Sequence, residues 1–174
     1  MIVHLIKQQT ANVKLIKVEN AEQMKQAVFE YYREADIVIK SAAVADYRPV
    51  LQHMEKMKKK EGSMTMEFER TVDILKSLGE EKEHQILVGF AAETEQLDFY
   101  AMKKLKAKNA DIIVANNVKQ EGAGFGGDTN VVTFFHRDGS KNELPLLSKD
   151  EVAEYLLKEI LALNKNKDEG MESR

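Results

Sequence analysis

Residues 41–49, SAAVADYRP, place two alanines, an acid and a base directly after an apolar run. Small side chains let a ligand approach the backbone, so the amide groups of Ala42 and Ala43 could stabilise a developing oxyanion. The Asp46 carboxylate could accept hydrogen bonds or hold a metal-bound phosphate. The alternative is a tight turn in which Asp46 pairs with Arg48. The pattern indicates a ligand site after a strand and leaves that turn open.

A second group is the lysine-rich run at residues 55–60, EKMKKK. Together with Pro49 and Gly62 it predicts a mobile loop over residues 47–62. Such a loop could close over a polyphosphate and neutralise its charge during nucleotidyl transfer. An ordinary solvated surface is the alternative, because lysine clusters are frequent on protein surfaces.

The third group is residues 88–94, VGFAAET, followed by a basic stretch. Gly89 and the alanines are expected to leave room beside Phe90, whose ring could pack on a nucleobase. Lys104 and Lys108 are four residues apart and share one helical face if the helix continues that far. Two cations on one face suit phosphates, whereas the alternative is a strand core followed by a basic helix C-terminus.

Other candidate groups carry no assignment. The glycines of residues 122–127 match neither a dinucleotide-binding fingerprint nor a phosphate-binding loop, which disfavours a dehydrogenase. The four histidines lack metal-ligand spacing.

Strand and helix patterns alternate along the chain and predict the elements that position these groups. The helices are expected after Asn20, from Thr71 to Leu78, and from Thr94 to about Ala107. A capping box at Ser148 opens a final helix, followed by a frayed polar tail from Asn164. Strands are expected at residues 12–18, 36–43, 64–69, 85–92 and 111–115.

The run at residues 36–43 is typical of a strand buried on both faces of a parallel sheet. Residues 131–135 and 143–147 flank Asp138 and Gly139 and predict a hairpin that forms an antiparallel appendage. The fold class is therefore α/β, a three-layer Rossmann-like and mostly parallel sheet with a C-terminal antiparallel hairpin. Ligands of such folds gather at the carboxyl ends of the strands.

The bulk properties bound the function. A chain of 174 residues with 43% apolar and 32% charged residues suits one globular domain. A net charge of −3 provides no basic field for nucleic acid or a membrane surface, and no apolar run is long enough to span a bilayer. The chain has no cysteine, so any cysteine in the chemistry is substrate. The N-terminus lacks the features of a secretory leader, so a cytoplasmic location is expected.

Four blocks occur in order: AAVADYRP at residues 42–49, EKMKK at 55–59, VGFAAET at 88–94 and KLKAKNADIIVANNV at 104–118. In this order and spacing they resemble the phosphopantothenate-cysteine ligase (phosphopantothenoylcysteine synthetase) family. Members often form the C-terminal half of a bifunctional protein whose other half is a flavin-dependent decarboxylase. The four blocks together favour the functional interpretations above over the separate alternatives.

The resemblance implies an activity. The family joins 4′-phosphopantothenate to L-cysteine in coenzyme A biosynthesis through an acyl-cytidylate formed from CTP, with Mg²⁺. It also implies a homodimer, linked to or associated with the decarboxylase. Lys56 matches the family's essential lysine, and Ala42 and Ala43 match positions near the reacting carbonyl. Asp46 matches a CTP-binding acid and is also the candidate metal ligand. The nucleotide-site positions implied are Lys40, Ser41, Ala42, Asp46, Lys56, Val72, Asp73, Ile74, Leu75, Phe90, Lys104 and Lys108.

The resemblance begins near Ala11. Family members start with a Gly-rich strand and loop and with a segment whose asparagine supports the cysteine-dependent step, and neither pattern occurs in this sequence. We therefore expect an N-terminally incomplete ligase domain at residues 1–164 and a polar tail at residues 165–174. The alternative function is a non-catalytic remnant that binds nucleotide or dimerises.

Overall fold

The computed structural model describes residues 12–51, 61–117 and 127–172. The chain divides into two compact units, Met1–Tyr31 with Ala43–Ile74, and Tyr32–Ala42 with Leu75–Arg174. Within the described residues, no helix is both long and apolar enough to cross a membrane. The elements in chain order are α1 (Ala21–Tyr32), β1 (Ile37–Lys40), β2 (Tyr47–Pro49), β3 (Phe68–Arg70), α2 (Ile74–Glu80), β4 (Ile86–Glu93), α3 (Leu97–Ala107), β5 (Ile112–Asn117), β6 (Thr129–Asn130), β7 (Val132–His136), β8 (Lys141–Glu143), β9 (Leu147–Ser148) and α4 (Lys149–Glu172).

A five-stranded sheet forms the centre of the second unit, in the order β1-β4-β5-β7-β8. β1, β4 and β5 are parallel, and β7 and β8 continue the sheet in antiparallel pairing. The apolar residues of β4 and β5 suit this position, because a strand covered on both faces needs apolar side chains at successive positions. The mostly parallel sheet with a C-terminal antiparallel hairpin is confirmed. The second strand of the hairpin is β8, however, and not the predicted residues 143–147, because Leu147 belongs to β9 and pairs with β6.

Helices pack on both faces of this sheet. On one face, Val152, Leu156 and Ile160 of α4 join the apolar cluster of the central strands. On the other face, α2 places Leu75 so close to Gly89 that a Cβ atom on the glycine would lie 2.4 Å from Leu75 Cδ2. Gly89 therefore permits the approach of α2, and the three-layer prediction is confirmed.

Two expectations for this sheet are wrong. Among the described residues β1 pairs only with β4, and it is not buried on both faces, because Ile37 and Ile39, which share one face, are 40% and 41% exposed. The hairpin is not an appendage, because β7 pairs with β5 from Ile112↔His136 to Asn116↔Val132. Residue types indicate a strand, but the order of the strands decides how many neighbours each one has.

The capping motif of α4 forms as predicted. The Glu151 N–H donates to Ser148 Oγ at 3.2 Å, and the Ser148 N–H donates to the Glu151 carboxylate at 2.8 Å. The Ser148 hydroxyl hydrogen bond holds the pKa of Glu151 below its ordinary value. The helix then continues to Glu172, past the frayed tail expected from Asn164. Lysine and glutamate in this segment are good helix formers, which accounts for the difference.

Helices α2 and α3 begin later than predicted. The Thr71 N–H donates to the Asp46 carbonyl at 2.9 Å, so the chain is still extended there and α2 begins at Ile74. Gln96 precedes α3 in a left-handed conformation, with φ 47° and ψ 48°, so this helix begins at Leu97 instead of Thr94. Helix α2 begins later because of the backbone hydrogen bond at Thr71, and α3 begins later because of the left-handed conformation of Gln96. Residue propensities predict neither feature.

The first unit contains α1 and a two-stranded antiparallel ladder. The Gln23 N–H donates to Asn20 Oδ1 at 2.9 Å, which confirms the predicted cap of α1. β2 and β3 pair from Tyr47↔Arg70 to Pro49↔Phe68. The start of the expected loop at residues 47–62 is therefore a strand, and residues 52–60 of that loop lie outside the described residues.

Two other predictions for this unit differ from the structure. The strand expected at residues 64–69 is reduced to β3, because only its last residues pair with β2. Residues 12–18 form no strand, and Val13 and Leu15 are 52% and 55% exposed. Their alternation suits a strand, but a strand also needs a hydrogen-bonded neighbour, and these residues pair with none of the described strands.

Candidate functional site

The carboxyl ends of β1, β4 and β5 lie at one edge of the sheet of the second unit. Lys40 pairs with Gly89 at the end of β1, and β4 continues beyond this register to Glu93, which pairs with Asn117 at the end of β5. The last residues of β4 therefore extend past β1. This edge is where α/β sheets bind ligands. Lys40 and Phe90 belong to strands that form it, and Lys104, in the last turn of α3, reaches it through its side-chain amine.

Phe90 is the exposed aromatic residue of β4. Its side chain is 38% exposed, whereas its neighbours Gly89 and Ala91 are buried. The expected free space at Gly89 is absent, because Leu75 occupies it. Phe90 as a residue is nevertheless more than a third exposed, and an accessible aromatic side chain can stack on a base.

The side-chain amine of Lys104 lies near the end of β4, where it forms an ion pair with Glu93. Lys104 Nζ is 2.7 Å from Glu93 Oε1, and the exposed fractions of the two side chains are 43% and 15%. Among the described residues no hydrogen bond of regular geometry reaches Glu93 Oε1, so charge attraction holds the contact. Sequence reasoning missed Glu93, although an acid next to last in the VGFAAET block, shortly before a basic helix, was a usable signal.

Lys108 occupies a different position from Lys104. α3 ends at Ala107, and Lys108 is its C-cap, with the Lys108 N–H donating to the Lys104 carbonyl. The Lys108 carbonyl lies beside Gly79. The residues that follow Lys108 connect it to β5, which begins at Ile112. The backbone of Lys108 is therefore at the amino end of β5, opposite the end that carries Glu93. A phosphate contact by both lysines is still a prediction.

The chain after β1 is exposed. The Lys40 side chain folds over this segment, and its Nζ donates to the Ala42 carbonyl at 3.1 Å. Ser41 and Ala42 are exposed to solvent. In the first unit, Ala43 and Asp46 are also exposed. The turn with an Asp46 pair is wrong, because Arg48 Nε pairs with Glu69 Oε1 across β2 and β3 at 2.7 Å.

The predicted contacts at residues 72–75 differ in accessibility. Ile74 and Leu75 are buried, Val72 is half-buried and Asp73 is exposed. Leu75 packs on Gly89 in the core of the second unit. A nucleotide could therefore meet this segment only through its backbone, Val72 or Asp73, so the structure restricts the prediction without testing it.

Lys56 lies outside the described residues, together with the rest of the run at residues 55–60 and most of the glycines at residues 122–127. No cluster of three histidine, cysteine, aspartate or glutamate side chains within the described part of the chain is arranged to hold a metal ion. Asp46 as a metal ligand is still a prediction.

Comparison with known proteins identifies the family. The model of the DNA/pantothenate metabolism flavoprotein C-terminal domain matches residues 2–163. The chain is 57% identical over 156 residues to the coenzyme A biosynthesis bifunctional protein CoaBC of Bacillus subtilis (strain 168), covering 90% of this chain and 38% of that protein. It is 41% identical over 153 residues to a cysteine/cysteine sulfinic acid decarboxylase from an unknown prokaryotic organism, covering 87% of this chain and 43% of that protein.

A solved structure gives the same result. The crystal structure of the C-terminal domain of a coenzyme A biosynthesis bifunctional protein CoaBC superposes with a TM-score of 0.70 at 50% identity, covering 87% of this chain and 68% of that one. The chain spans well under half the length of the curated relatives above. The family match covers most of the sequence, and the chain belongs to the DNA/pantothenate metabolism flavoprotein C-terminal domain family.

Proposed function

We propose that this chain is the phosphopantothenate-cysteine ligase domain of coenzyme A biosynthesis, which joins 4′-phosphopantothenate to L-cysteine at the expense of CTP. The observation that carries the proposal is the carboxyl end of β4, where Phe90 is exposed on one face of the sheet and Glu93, three residues later and therefore on the other face, pairs with Lys104. An aromatic face and a cation suit the base and phosphates of a nucleotide. The 57% identity to a coenzyme A biosynthesis protein supports the choice of reaction.

The proposed reaction has two steps. The carboxylate of 4′-phosphopantothenate attacks the α-phosphate of CTP, and pyrophosphate leaves. The amine of cysteine then attacks the acyl carbon, and CMP leaves with the electron pair of the broken C–O bond. In the first step a carboxylate must approach a polyanion, so the site must supply positive charge.

Residues of this chain have distinct proposed roles. Lys104, and Lys56 outside the described residues, neutralise phosphate charge, and Phe90 stacks on the base. The amide groups of Ala42 and Ala43 stabilise the oxyanion at the acyl carbon. Lys40, Ser41, Asp46, Lys108 and residues 72–75 contact the nucleotide. Mg²⁺ is proposed to arrive with the triphosphate, because Mg²⁺ at nucleotide sites is usually held by substrate phosphates together with one or two carboxylates.

The assembly is part of the proposal. We infer a homodimer, associated with or linked to a flavin-dependent decarboxylase, in the cytoplasm. A relative named as a decarboxylase matches over 43% of its length, so the whole-protein name of a relative does not by itself assign an activity to this chain.

A pyrophosphate-release assay tests the proposal. Purified chain is mixed with CTP and Mg²⁺, with and without 4′-phosphopantothenate and with and without cysteine. Release that requires 4′-phosphopantothenate supports the first step, and formation of the cysteine amide supports the second. CTP binding without release favours the alternative, a nucleotide-binding remnant. Lack of both CTP binding and release contradicts the proposal.

Variants locate the activity in the site. Lys104→Met and Lys56→Ala are expected to reduce pyrophosphate release at least tenfold, because each removes a charge from a polyanion site. Lys103→Met is the matched control, since Lys103 is an exposed neighbour on the same helix and has no proposed role. Equal activity of Lys103→Met and Lys104→Met would remove Lys104 from the site.

A further inference from the structure

We propose that Glu93 is a positioning residue that holds the Lys104 amine at the carboxyl end of β4, ready for a nucleotide phosphate. This inference rests on the proposed function and adds a residue to its site. Glu93 belongs to none of the nucleotide contacts implied by the sequence. Its role follows from its position at the end of β4 and its contact with α3.

The exposures of the two side chains define the arrangement. Glu93 is 15% exposed and Lys104 is 43% exposed, with 2.7 Å between Nζ and Oε1. The glutamate is thus the more enclosed side chain of the pair, and the lysine is the more accessible one. A ligand that approaches this end of β4 meets the lysine before it meets the glutamate.

A second acid in the same sheet shows how a structural carboxylate is bound. Asp111 accepts a hydrogen bond from the Leu87 N–H at 2.7 Å and another from Lys82 Nζ at 2.5 Å. Glu93 Oε1 receives no hydrogen bond of regular geometry from the described residues. Within the described part of the chain, Glu93 Oε1 therefore depends on the Lys104 ammonium at 2.7 Å for compensation of its charge, and a buried ion pair of this kind is weak evidence for a role in stability.

Holding the lysine has a direct consequence for affinity. A free lysine side chain samples many rotamers and loses that freedom when it binds a phosphate. A lysine already restrained by Glu93 has less freedom to lose. The negative charge of Glu93 opposes a phosphate, so the sign of the effect distinguishes positioning from simple repulsion.

The test is a double-mutant cycle in nucleotide affinity. Dissociation constants for CTP with Mg²⁺ and for cytidine are measured by titration calorimetry for the unchanged chain, Glu93→Gln, Lys104→Met, the double variant and Lys103→Met. We expect Glu93→Gln to weaken CTP binding about three- to tenfold, the range for one immobilised flexible side chain. Cytidine affinity is expected to be unchanged because cytidine has no phosphate. The double variant should bind CTP no more weakly than Lys104→Met alone, and Lys103→Met should bind as the unchanged chain does.

Each other outcome has a defined meaning. Unchanged or tighter CTP binding by Glu93→Gln, with a loss in Lys104→Met, overturns the positioning role and leaves the proposed function intact. A parallel loss of cytidine affinity, or additive losses in the double variant, also overturns it, because Glu93 would then act through the fold or independently of Lys104. An unchanged chain that does not bind CTP refutes the proposed function itself.

Discussion

Replacement of Lys82 by methionine is expected to destabilise the second unit substantially. Lys82 Nζ is 2.5 Å from Asp111 Oδ2, and the two side chains are 7% and 10% exposed. Lys82 also donates to the Asn109 carbonyl at 3.2 Å. Asp111 precedes β5 and accepts a hydrogen bond from the Leu87 N–H of β4. The Lys82–Asp111 pair therefore stabilises the contact between two adjacent strands at the start of β5.

The magnitude follows from the partners that would be left. Breaking a buried ion pair by removing one member costs about 3–5 kcal/mol. In Lys82→Met, Asp111 keeps the Leu87 N–H at 2.7 Å and has Arg137 Nε at 3.6 Å from Oδ1. Because these groups still compensate part of the Asp111 charge, we expect the free energy of unfolding to fall by about 3 kcal/mol, the lower end of this range. For a chain of this size that corresponds to a fall in Tm of roughly 6–12 °C.

Urea denaturation followed by circular dichroism at the helical band measures the loss as a change in midpoint at constant m value. The matched control is Lys76→Met, because Lys76 forms an exposed pair with Glu80 at 3.6 Å and should change stability by less than about 0.5 kcal/mol. A loss below about 1 kcal/mol in Lys82→Met, or equal losses in the two variants, would refute the reasoning that burial makes this pair important.

Three further predictions concern the fold. Gly79→Ala should cost about 3 kcal/mol in urea denaturation, because a Cβ atom there would lie 1.9 Å from the Lys108 carbonyl oxygen, whereas Gly127→Ala, whose Cβ would meet nothing closer than 3.9 Å, should be nearly neutral. Tyr32→Phe should lower the free energy of unfolding by about 1 kcal/mol, since the buried hydroxyl donates to the Leu78 carbonyl at 2.7 Å, and no loss would contradict a role for this bond. Glu151→Gln should flatten the acid limb of the stability–pH curve. The pKa of Glu151 is lowered in the folded state, so its contribution is present above the unfolded-state value of 4.5 and is lost as pH falls through the folded value. Identical acid limbs for both proteins would contradict this linkage.

Local sequence signals were accurate where the interaction itself is local. The cap at Asn20 and the capping box at Ser148 and Glu151 join residues three apart, so the chain forms them with little help from distant contacts. The apolar strands at β4, β5 and β7 were also predicted, because their residue types suit buried extended chain. The turn at Gly139, which has positive φ, was predicted too, but the strand after it was placed at residues 143–147 instead of Lys141–Glu143.

The errors occurred where a neighbouring strand decides the outcome. Residues 12–18 have a strand-like pattern but pair with none of the described strands. β1 has the composition of a central strand and yet exposes Ile37 and Ile39 at 40% and 41%. For the candidate site, the sequence indicated Phe90 and Lys104 as separate residues and did not indicate Glu93. An ion pair between the end of a strand and a residue on the following helix depends on how that helix packs back on the sheet.

The sequence by itself determined the fold class and the family, because strand and helix periodicities and four ordered blocks are properties of residue order. Only the tertiary structure decided that Gly89 serves the packing of Leu75, that Lys104 pairs with Glu93, and that the backbone of Lys108 lies at the opposite end of β5 from Glu93. The physical reason is that each of these depends on the position of one element against another. Hydrophobic periodicity indicates which face of an element is buried, but it does not indicate which residues of other elements contact that face.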